Sequence, residues 1–374
     1  MPALGNDVAG SWSLFDQDTA TGAIVDAIRG ASQVVNAEFF VLTDAGKGAQ
    51  LCGALVDAAR RGVEVNVLVD FTSLVMPPVA SFQRLRSELE RAGGHVVVTS
   101  RMPFSERARS TPALKHVDHR KVVTVDGRVG FLGGMNFTTV TDGFHDSMIR
   151  LTQLPAARLA AEQLERWRSV GGPVSGRHEA TVRDALGTAP RRPVDPSELD
   201  VISNSPDRGD HVLSDAYREL IRGAKTRIWV TTPGLSDQDV IGDLEAAARR
   251  GVDVRVVTSG EPLLHLPLLN WVGRSHLKAL MLQGGSAYEI PETLHRKALL
   301  VDDTAILSSY NLTGRSRLHD HEIGVRSSAP DFVAAIEAVI GADTSHATKL
   351  DAARITGVGA WIGDLVAQKL KLSY

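Results

Sequence analysis

The sequence predicts a duplicated α/β fold, in which one structural unit occurs twice along the chain. Residues 58–65 read AARRGVEV and residues 247–254 read AARRGVDV, so the two copies differ at a single, conservative position. Each copy has the pattern of an amphipathic helix end that leads into an apolar strand. A further apolar strand precedes each helix, VVNAEFFVL at 34–42 and RIWVTT at 227–232. Strand, helix and strand therefore follow one another in both copies, which is typical of α/β proteins.

Composition and charge exclude several classes of protein. Of the 374 residues, 43% are hydrophobic and 23% are charged, so the chain can bury a full core and is neither disordered nor collagen-like. The net charge of -3 argues against a surface built to coat nucleic acid, although a local basic cleft would be hidden in that balance. The single cysteine, Cys52, excludes a scaffold held by internal disulfides and is expected to be a small core residue.

The sequence predicts no transmembrane segment. Its first residues have neither the basic start nor the apolar run of a signal peptide. The longest apolar stretch, 263–272, is shorter than the roughly 18 residues that cross a bilayer. We therefore expect a cytoplasmic location, with peripheral contact to a membrane left open. Segments 262–272 and 361–374 are the candidates for such contact, and packing on their own domain is the alternative for both.

The boundary between the two halves is expected where glycine, proline and charged residues accumulate. That segment is 171–200, GGPVSGRHEATVRDALGTAPRRPVDPSELD. The sequence therefore predicts an N-terminal half at 1–170, a linker at 171–200 and a C-terminal half at 201–374.

A second repeat contains the candidate catalytic residues. HRKVVTVDGRVGFLGGMN at 119–136 is similar to HRKALLVDDTAILSSYN at 295–311. Alternate side chains of a strand share a face, so each histidine and its lysine are expected on one side and the intervening arginine on the other. Both copies have the pattern H-x-K-x-x-x-x-D, formed by His119, Lys121 and Asp126 and by His295, Lys297 and Asp302.

Amides and carboxylates repeat in the same way. In the first copy an Asp-Gly pair between apolar runs predicts a β-hairpin, whose return strand leads to Asn136. The second copy returns to Asn311. Asp146 follows His119 at the same distance along the chain as Glu322 follows His295. A carboxylate that accepts a hydrogen bond from one ring N–H would fix the tautomer of a histidine and stabilise its imidazolium form.

These residue types together predict a site for a phosphodiester. If the halves pack about a pseudo-two-fold axis, two histidines, two lysines and two asparagines would face one pocket. Ammonium and amide groups would stabilise the non-bridging oxygens, one histidine would attack phosphorus, and the other would protonate the leaving oxygen. The scheme needs no metal or other cofactor, and the sequence contains neither H-E-x-x-H nor a cysteine cluster. The alternatives are duplicated strands with incidental polar faces, or a scaffold that has lost catalysis.

The paired motif resembles the phospholipase D superfamily, and the chain looks most like the bacterial cardiolipin synthases. Further similar stretches are WVTTPGLSD and YEIPETLHRKALLVDDTAILSSYNLTGRS followed by HEIGV. The resemblance spans about residues 24–326. It implies two α/β/α halves with a shared cleft and a phosphohistidine intermediate formed without metal. The chain departs from the usual pattern at Ser308-Ser309, where a Gly-Ser pair is common, and at Tyr310.

The resemblance also implies a role for each residue. His119 would be the nucleophile and His295 the acid, while Asp146 and Glu322 would orient the histidines. The phosphate ligands would be Lys121, Lys297, Asn136 and Asn311, and a structural role would fall to Asp126 and Asp302.

From the duplicated motif and this resemblance we expect a metal-independent phosphodiesterase or phosphatidyltransferase that acts on phospholipid head groups. Water and an alcohol remain alternative acceptors, so hydrolase and transferase reactions are both open. The first alternative is a nuclease of the same superfamily that cleaves DNA or RNA, against which the net charge and the 5% aromatic content argue mildly. The second alternative is a catalytically silent scaffold.

Overall fold

The chain folds into two compact units. Unit 1 comprises Met1–Gly143 and Ser147–Asp195, and unit 2 comprises Phe144–Asp146 and Pro196–Tyr374. Three consecutive residues from within the N-terminal half, Phe144–Asp146, therefore belong to unit 2. The structure is a computed structural model, and it describes residues 5–6, 10–75, 80–99, 116–187, 195–260 and 267–356.

Unit 1 is built on one mixed sheet with helices between its strands. The strands of this sheet are β1 (Gly5–Asn6), β2 (Trp12–Asp16), β3 (Val34–Phe39), β4 (Glu64–Asp70), β5 (His95–Thr99), β7 (Lys121–Val125), β8 (Val129–Gly133) and β9 (Ser147–Thr152). The two-residue strand β6 (Val117–Asp118) also belongs to unit 1 but is not part of this sheet. The helices are α1 (Ala20–Arg29), α2 (Lys47–Arg60), α3 (Thr72–Val75), α4 (Ser81–Arg91), α5 (Gln153–Ser169) and α6 (Gly176–Leu186). The sheet order is β1-β2-β9-β8-β7-β3-β4-β5, in which β3, β4 and β5 are parallel and the other pairs antiparallel.

Unit 2 repeats this arrangement. Its strands are β10 (Asp200–Asn204), β11 (Arg227–Thr231), β12 (Asp253–Ser259), β13 (Ser286–Ile290), β14 (Ala298–Val301), β15 (Thr304–Ser308), β16 (Asp320–Ser327) and β17 (Thr348–Lys349). The helices are α7 (Val212–Gly223), α8 (Gln238–Arg249), α9 (Pro267–Leu282), α10 (Gly314–Leu318) and α11 (Pro330–His346). The order β16-β15-β14-β11-β12-β13 matches β9-β8-β7-β3-β4-β5 strand for strand. The predicted duplicated α/β fold is confirmed.

The repeated AARRG sequence forms the same helix-to-strand turn in both units. Gly62 and Gly251 both have φ of +87°, a left-handed conformation in which glycine carries no steric cost. The residue after each glycine donates its N–H to the helix, with an N···O distance of 3.2 Å from Val63 to Ala58 and from Val252 to Ala247. The glycine in the repeat is therefore required to end α2 and α8 before β4 and β12 begin.

Each unit buries its own apolar core. In unit 1 the core lies between the sheet and the helices, where α1 contributes Ile24 and Ile28 and α2 contributes Leu51 and Leu55. Cys52 belongs to this core and is buried, as predicted. In unit 2 the positions of α8 that correspond to Leu51 and Leu55 are Val240 and Leu244, which belong to the core of that unit. Burial of this apolar surface is the main contribution to the stability of each unit.

The motif residues depart from the strand geometry expected of them. β7 begins at Lys121 and β14 begins at Ala298, so both histidines precede the strands. In unit 2 the reason is visible, because the N–H groups of His295 and Arg296 donate to the carbonyl oxygen of His145, at 2.8 and 3.0 Å. These hydrogen bonds take the place of a strand partner.

The segment expected to connect the halves contains helix α6. Its first turn is capped by Ser175, whose hydroxyl accepts from the N–H of His178 at 3.0 Å. Val182 of α6 packs with Ala160 and Leu164 of α5 in a small apolar cluster. Part of the segment 171–200 is therefore a packed element of unit 1.

Several stretches singled out in the sequence lie outside the described residues. They are the basic stretch with Arg101, Arg107, Arg109 and Lys115, the start of the apolar segment 262–272, and the C-terminal segment 361–374. Within 262–272, Val272 is buried and Trp271 is half-buried. In the part of the chain that is described, no helix is both long and apolar enough to cross a membrane.

Candidate active site

The first motif places an imidazole and an ammonium group together in unit 1. His119 and Lys121 are both buried, and Lys121 Nζ donates to the carbonyl oxygen of His119 at 2.5 Å. The ring of Phe40 lies 4.9 Å from the ring of His119, and Lys121 Nζ lies 5.2 Å from the centroid of Phe40. A buried ammonium group is costly unless polar or aromatic groups compensate it. This arrangement is suited to binding an anion beside the histidine.

Asn136 follows β8 with its side-chain amide held in one orientation. The N–H of Val41 donates to Asn136 Oδ1 at 3.2 Å. The oxygen of the amide is therefore bound to the protein, and the NH₂ group is the part that can donate to a ligand. Gly133 precedes this turn, and a Cβ atom there would lie 2.2 Å from the carbonyl oxygen of Ser147. Only glycine allows the close approach of β8 and β9 at this point.

The second motif forms a charged cluster around His295 in unit 2. His295 Nδ1 lies 2.7 Å from Asp146 Oδ2, and both side chains are buried. Lys297 Nζ lies 2.8 Å from the same ring nitrogen and also donates to the carbonyl oxygen of His295. One nitrogen cannot both donate to Asp146 and accept from Lys297. The buried carboxylate of Asp146 favours the proton on Nδ1. The other ring nitrogen, Nε2, is then the one that can accept a proton when the ring is neutral and give one when the ring is protonated.

The carboxylate reaches His295 because the segment Phe144–Asp146 pairs through its backbone with the residues just before the second motif. His145 and Leu294 form a parallel β-bridge, and the N–H of His145 donates to the carbonyl oxygen of Thr293 at 2.9 Å. The ring of Phe144 lies 5.7 Å from the ring of His295. Asp146 is therefore set beside a histidine that is far away in sequence.

Glu322 is buried in β16, and one partner of its carboxylate is the hydroxyl of Ser309. Ser309 Oγ donates to Glu322 Oε2 and accepts from the N–H of Ile323 at 3.1 Å. In the sequence Ser309 stands out only as a departure from the usual pattern, and no local signal indicates its contact with Glu322. The orientation of a histidine by Glu322 stays a prediction.

Asn311 follows β15, in the loop that leads to α10. Its side-chain Oδ1 is buried and has no hydrogen-bond partner among the described residues. A buried polar atom without a partner is costly, and a ligand that donates to it would remove that cost. The amide of Asn311 is thus less constrained by the protein than that of Asn136.

The two motif aspartates lie in the turns after β7 and β14 and bind backbone groups. Asp126 accepts from the N–H groups of Ser32, Gln33 and Val34 at 2.8 to 2.9 Å. Burial alone would raise the pKa of Asp126, but these hydrogen bonds outweigh it, so the pKa is lowered. These contacts bind the turn after β7 to the backbone around the start of β3, and the structural role that the resemblance implies for Asp126 stays a prediction.

Asp302 repeats this arrangement in unit 2. It accepts from the N–H groups of Lys225, Thr226 and Arg227 at 2.8 to 3.0 Å, and from the hydroxyl of Thr226 at 2.6 Å. Burial opposes ionisation, yet the hydrogen bonds lower the pKa of Asp302 to about 2. Both motif aspartates have positive φ, 51° for Asp126 and 49° for Asp302, which aspartate tolerates better than most residues.

The low pKa of Asp302 predicts an acid-labile contribution to stability. Because the folded pKa is below the unfolded value of roughly 3.9, the contribution is present above pH 4 and is lost as the pH falls toward 2. After allowance for solvent screening, we expect Asp302→Asn to lower the free energy of unfolding by about 1 kcal/mol at pH 7 and by less at pH 3. Urea unfolding followed by circular dichroism at the two pH values measures this. Asp303→Asn, at the exposed neighbouring position, is the control, and an equal effect of both substitutions would contradict the assignment.

Among the described residues, no group of three or more His, Cys, Asp or Glu side chains is arranged to hold a metal ion. The acidic and histidine side chains near the second motif pair with one another instead, as Asp146 and His295 do.

Comparison with known proteins gives the family. The model of the cardiolipin synthase, PLD-like domain matches residues 24–167 and 217–343, which is more than half of the chain. The chain therefore belongs to the phospholipase D-like family. It is 29% identical over 342 residues to cardiolipin synthase A of Pseudomonas aeruginosa, which covers 88% of this chain, and 25% identical over 338 residues to the probable cardiolipin synthase YwiE of Bacillus subtilis, which covers 87%.

These relatives are longer proteins. The chain spans 66% of the length of the Pseudomonas protein and 64% of the Bacillus protein. Among solved structures, phosphatidylserine synthase of Haemophilus influenzae Rd KW20 has a TM-score of 0.72 at 13% identity, over 99% of this chain and 95% of that one. Polyphosphate kinase of Porphyromonas gingivalis has a TM-score of 0.60 at 15% identity, over 94% and 52%. At these identities the two structures show the fold alone.

Proposed function

We propose that the protein transfers the phosphatidyl group of a phospholipid to an alcohol, as a phosphatidyltransferase of the cardiolipin synthase type. The observation that carries this proposal is the duplicated motif, with Lys121 beside His119 and with Asp146 and Lys297 around His295. Support for the lipid substrate comes from the relatives named as cardiolipin synthases. Because such a substrate resides in a bilayer, we further propose that the protein works at the surface of a membrane.

The first half-reaction forms a covalent intermediate. The neutral ring of His119 attacks phosphorus of phosphatidylglycerol, so that a P–N bond forms and the bond to the glycerol oxygen breaks. His295 in its imidazolium form gives the Nε2 proton to that oxygen, and free glycerol leaves. Asp146 stabilises the imidazolium before the transfer. The ammonium and amide groups of Lys121, Lys297, Asn136 and Asn311 stabilise the negative charge on the phosphate oxygens.

The second half-reaction releases the lipid product. Neutral His295 takes a proton from the hydroxyl of an acceptor, and the acceptor oxygen attacks phosphorus as the P–N bond to His119 breaks. A second phosphatidylglycerol as acceptor gives cardiolipin, and water gives phosphatidic acid. Both histidines return to their starting protonation states, so the cycle needs no further reactant.

Mass spectrometry of the products tests this proposal. Purified protein and phosphatidylglycerol vesicles in EDTA are expected to give cardiolipin and glycerol, because the proposed steps use only side chains of the chain. Phosphatidic acid as the main product would mean hydrolysis instead of transfer. If the folded protein yields no lipid product, the proposal is wrong, and single- and double-stranded DNA would be the next substrates for a phosphodiesterase of this family.

A further inference from the structure

The arginine between the histidine and the lysine of the second motif is buried against an acidic residue of α11. Arg296 Nη1 lies 2.5 Å from both Oδ1 and Oδ2 of Asp343, and both side chains are buried. The pair lies within unit 2. A buried charge pair of this kind adds little to stability compared with apolar residues of similar size. The role of Arg296 is therefore better judged from its contacts with residues other than Asp343.

Those contacts reach the segment that carries Asp146. Arg296 Nη2 lies 3.5 Å from the carbonyl oxygen of Asp146, and the N–H of Arg296 donates to the carbonyl oxygen of His145 at 3.0 Å. Main chain and side chain of one residue thus hold two consecutive residues of the segment Phe144–Asp146. The planar guanidinium can donate to Asp343 through one nitrogen and face Asp146 with the other, which the single ammonium of a lysine cannot do.

We propose that Arg296, anchored by Asp343, is a positioning residue that holds Asp146 in hydrogen-bonding distance of His295. This inference rests on the proposed function only for its kinetic consequence, since the geometry concerns the histidine itself. The Asp146 side chain sits 2.7 Å from His295 Nδ1, while the main chain of Asp146 is fixed by Arg296. A shift of about 1 Å in a catalytic group can cost about 100-fold in rate, so the position of this carboxylate matters.

The first motif has an arginine at the same position, Arg120, but the distance to its acidic neighbour Glu38 is longer. Arg120 Nε lies 4.0 Å from Glu38 Oε1, with both side chains buried. Burial and the nearby Asp118 raise the pKa of Glu38 well above its ordinary value, which favours a neutral carboxyl group there. The direct contact between Arg296 and Asp343 is therefore a property of the second motif and is not imposed by the repeat.

The test combines kinetics with the protonation pattern of the His295 ring. In the double variant Arg296→Met/Asp343→Leu, two apolar side chains replace the pair, so the fold is expected to remain. We expect kcat for phosphatidylglycerol to fall by about 10- to 100-fold with KM nearly unchanged. In ¹⁵N-histidine NMR spectra, the neutral His295 ring is expected to carry its proton on Nδ1 in the wild type and to populate the Nε2–H form in the variant.

Two further variants keep the test decisive. Arg296→Lys retains the charge opposite Asp343 and is expected to show a smaller change in the same direction, which covers the case of a double variant that does not fold. Arg326→Met removes a different ion pair of unit 2, with Asp200 at 2.9 Å, and is expected to leave kcat and the His295 spectrum unchanged.

A folded double variant with the kcat and the His295 spectrum of the wild type would overturn the positioning role. The NMR measurement needs no substrate, so it separates the two claims. A wild type that makes no lipid product, together with a change of tautomer in the variant, would contradict the proposed function and support the positioning role.

Discussion

Replacing His119 with asparagine is expected to lower the rate of phosphatidyl transfer by at least about 10⁴-fold while the protein stays folded. The amide of asparagine has no lone pair that can form a stable bond to phosphorus, so the first half-reaction loses its nucleophile. Asparagine can still fill much of the space beside Phe40, whose ring packs on His119. The measurement is the initial rate of cardiolipin formation from phosphatidylglycerol vesicles, with circular dichroism to compare the folds.

His95→Asn is the matched control for this substitution. His95 is an exposed histidine of unit 1 at the start of β5, and its replacement is expected to leave the rate unchanged. A His119→Asn protein that is folded and retains a tenth of the wild-type rate or more would contradict the assignment of the nucleophile.

Replacing Asp146 with asparagine is expected to reduce kcat by about 10⁴-fold, close to the effect of the same change in other histidine–carboxylate pairs. Asp146 Oδ2 lies 2.7 Å from His295 Nδ1, and an amide NH₂ group in its place would donate to that nitrogen and select the wrong tautomer. The main-chain contacts of Asp146 remain, so the fold is expected to persist. Single-turnover release of glycerol from phosphatidylglycerol measures the step that needs the acid.

The control for this change is Asp142→Asn, in the same stretch of chain just before Asp146. Asp142 accepts from the N–H of Lys47 at 3.3 Å and belongs to unit 1. Its replacement is expected to cause less than a twofold change in rate. Equal losses in the two variants would mean that Asp146 acts through the local fold and that its carboxylate has no direct effect on His295.

Much of the fold could be predicted from the sequence because short local signals fix it. The AARRG repeat requires a glycine with positive φ at Gly62 and Gly251, and both copies of the repeat form the expected helix-to-strand turn. The Asp-Gly pair after β7 gives the expected hairpin to β8. In these cases the information lies within a few residues, and the hydrophobic period of the flanking segments agrees with it.

The features that sequence reasoning missed depend on distant contacts. The repeated spacing relates Asp146 to His119, whereas the structure sets Asp146 beside His295. No local pattern indicates that Phe144–Asp146 bridges to Leu294, because the bridge consists of backbone hydrogen bonds that any sequence can form. Helix α6 lies in a segment whose glycine and proline content predicts a linker. The helix packs on α5 through Val182, and this tertiary contact cannot be predicted from the local sequence.

The central claim is that His119 forms a covalent intermediate while His295 supplies the proton. Its most direct test uses vesicles that contain phosphatidyl-p-nitrophenol, whose leaving group departs as a stable anion and needs little help from an acid. With His295→Asn, we predict a burst of one nitrophenolate per protein chain and a phosphatidyl adduct on His119, located by mass spectrometry of the intact and then the digested protein. His119→Asn is predicted to give neither. A burst from His119→Asn with the adduct on His295 would contradict the account.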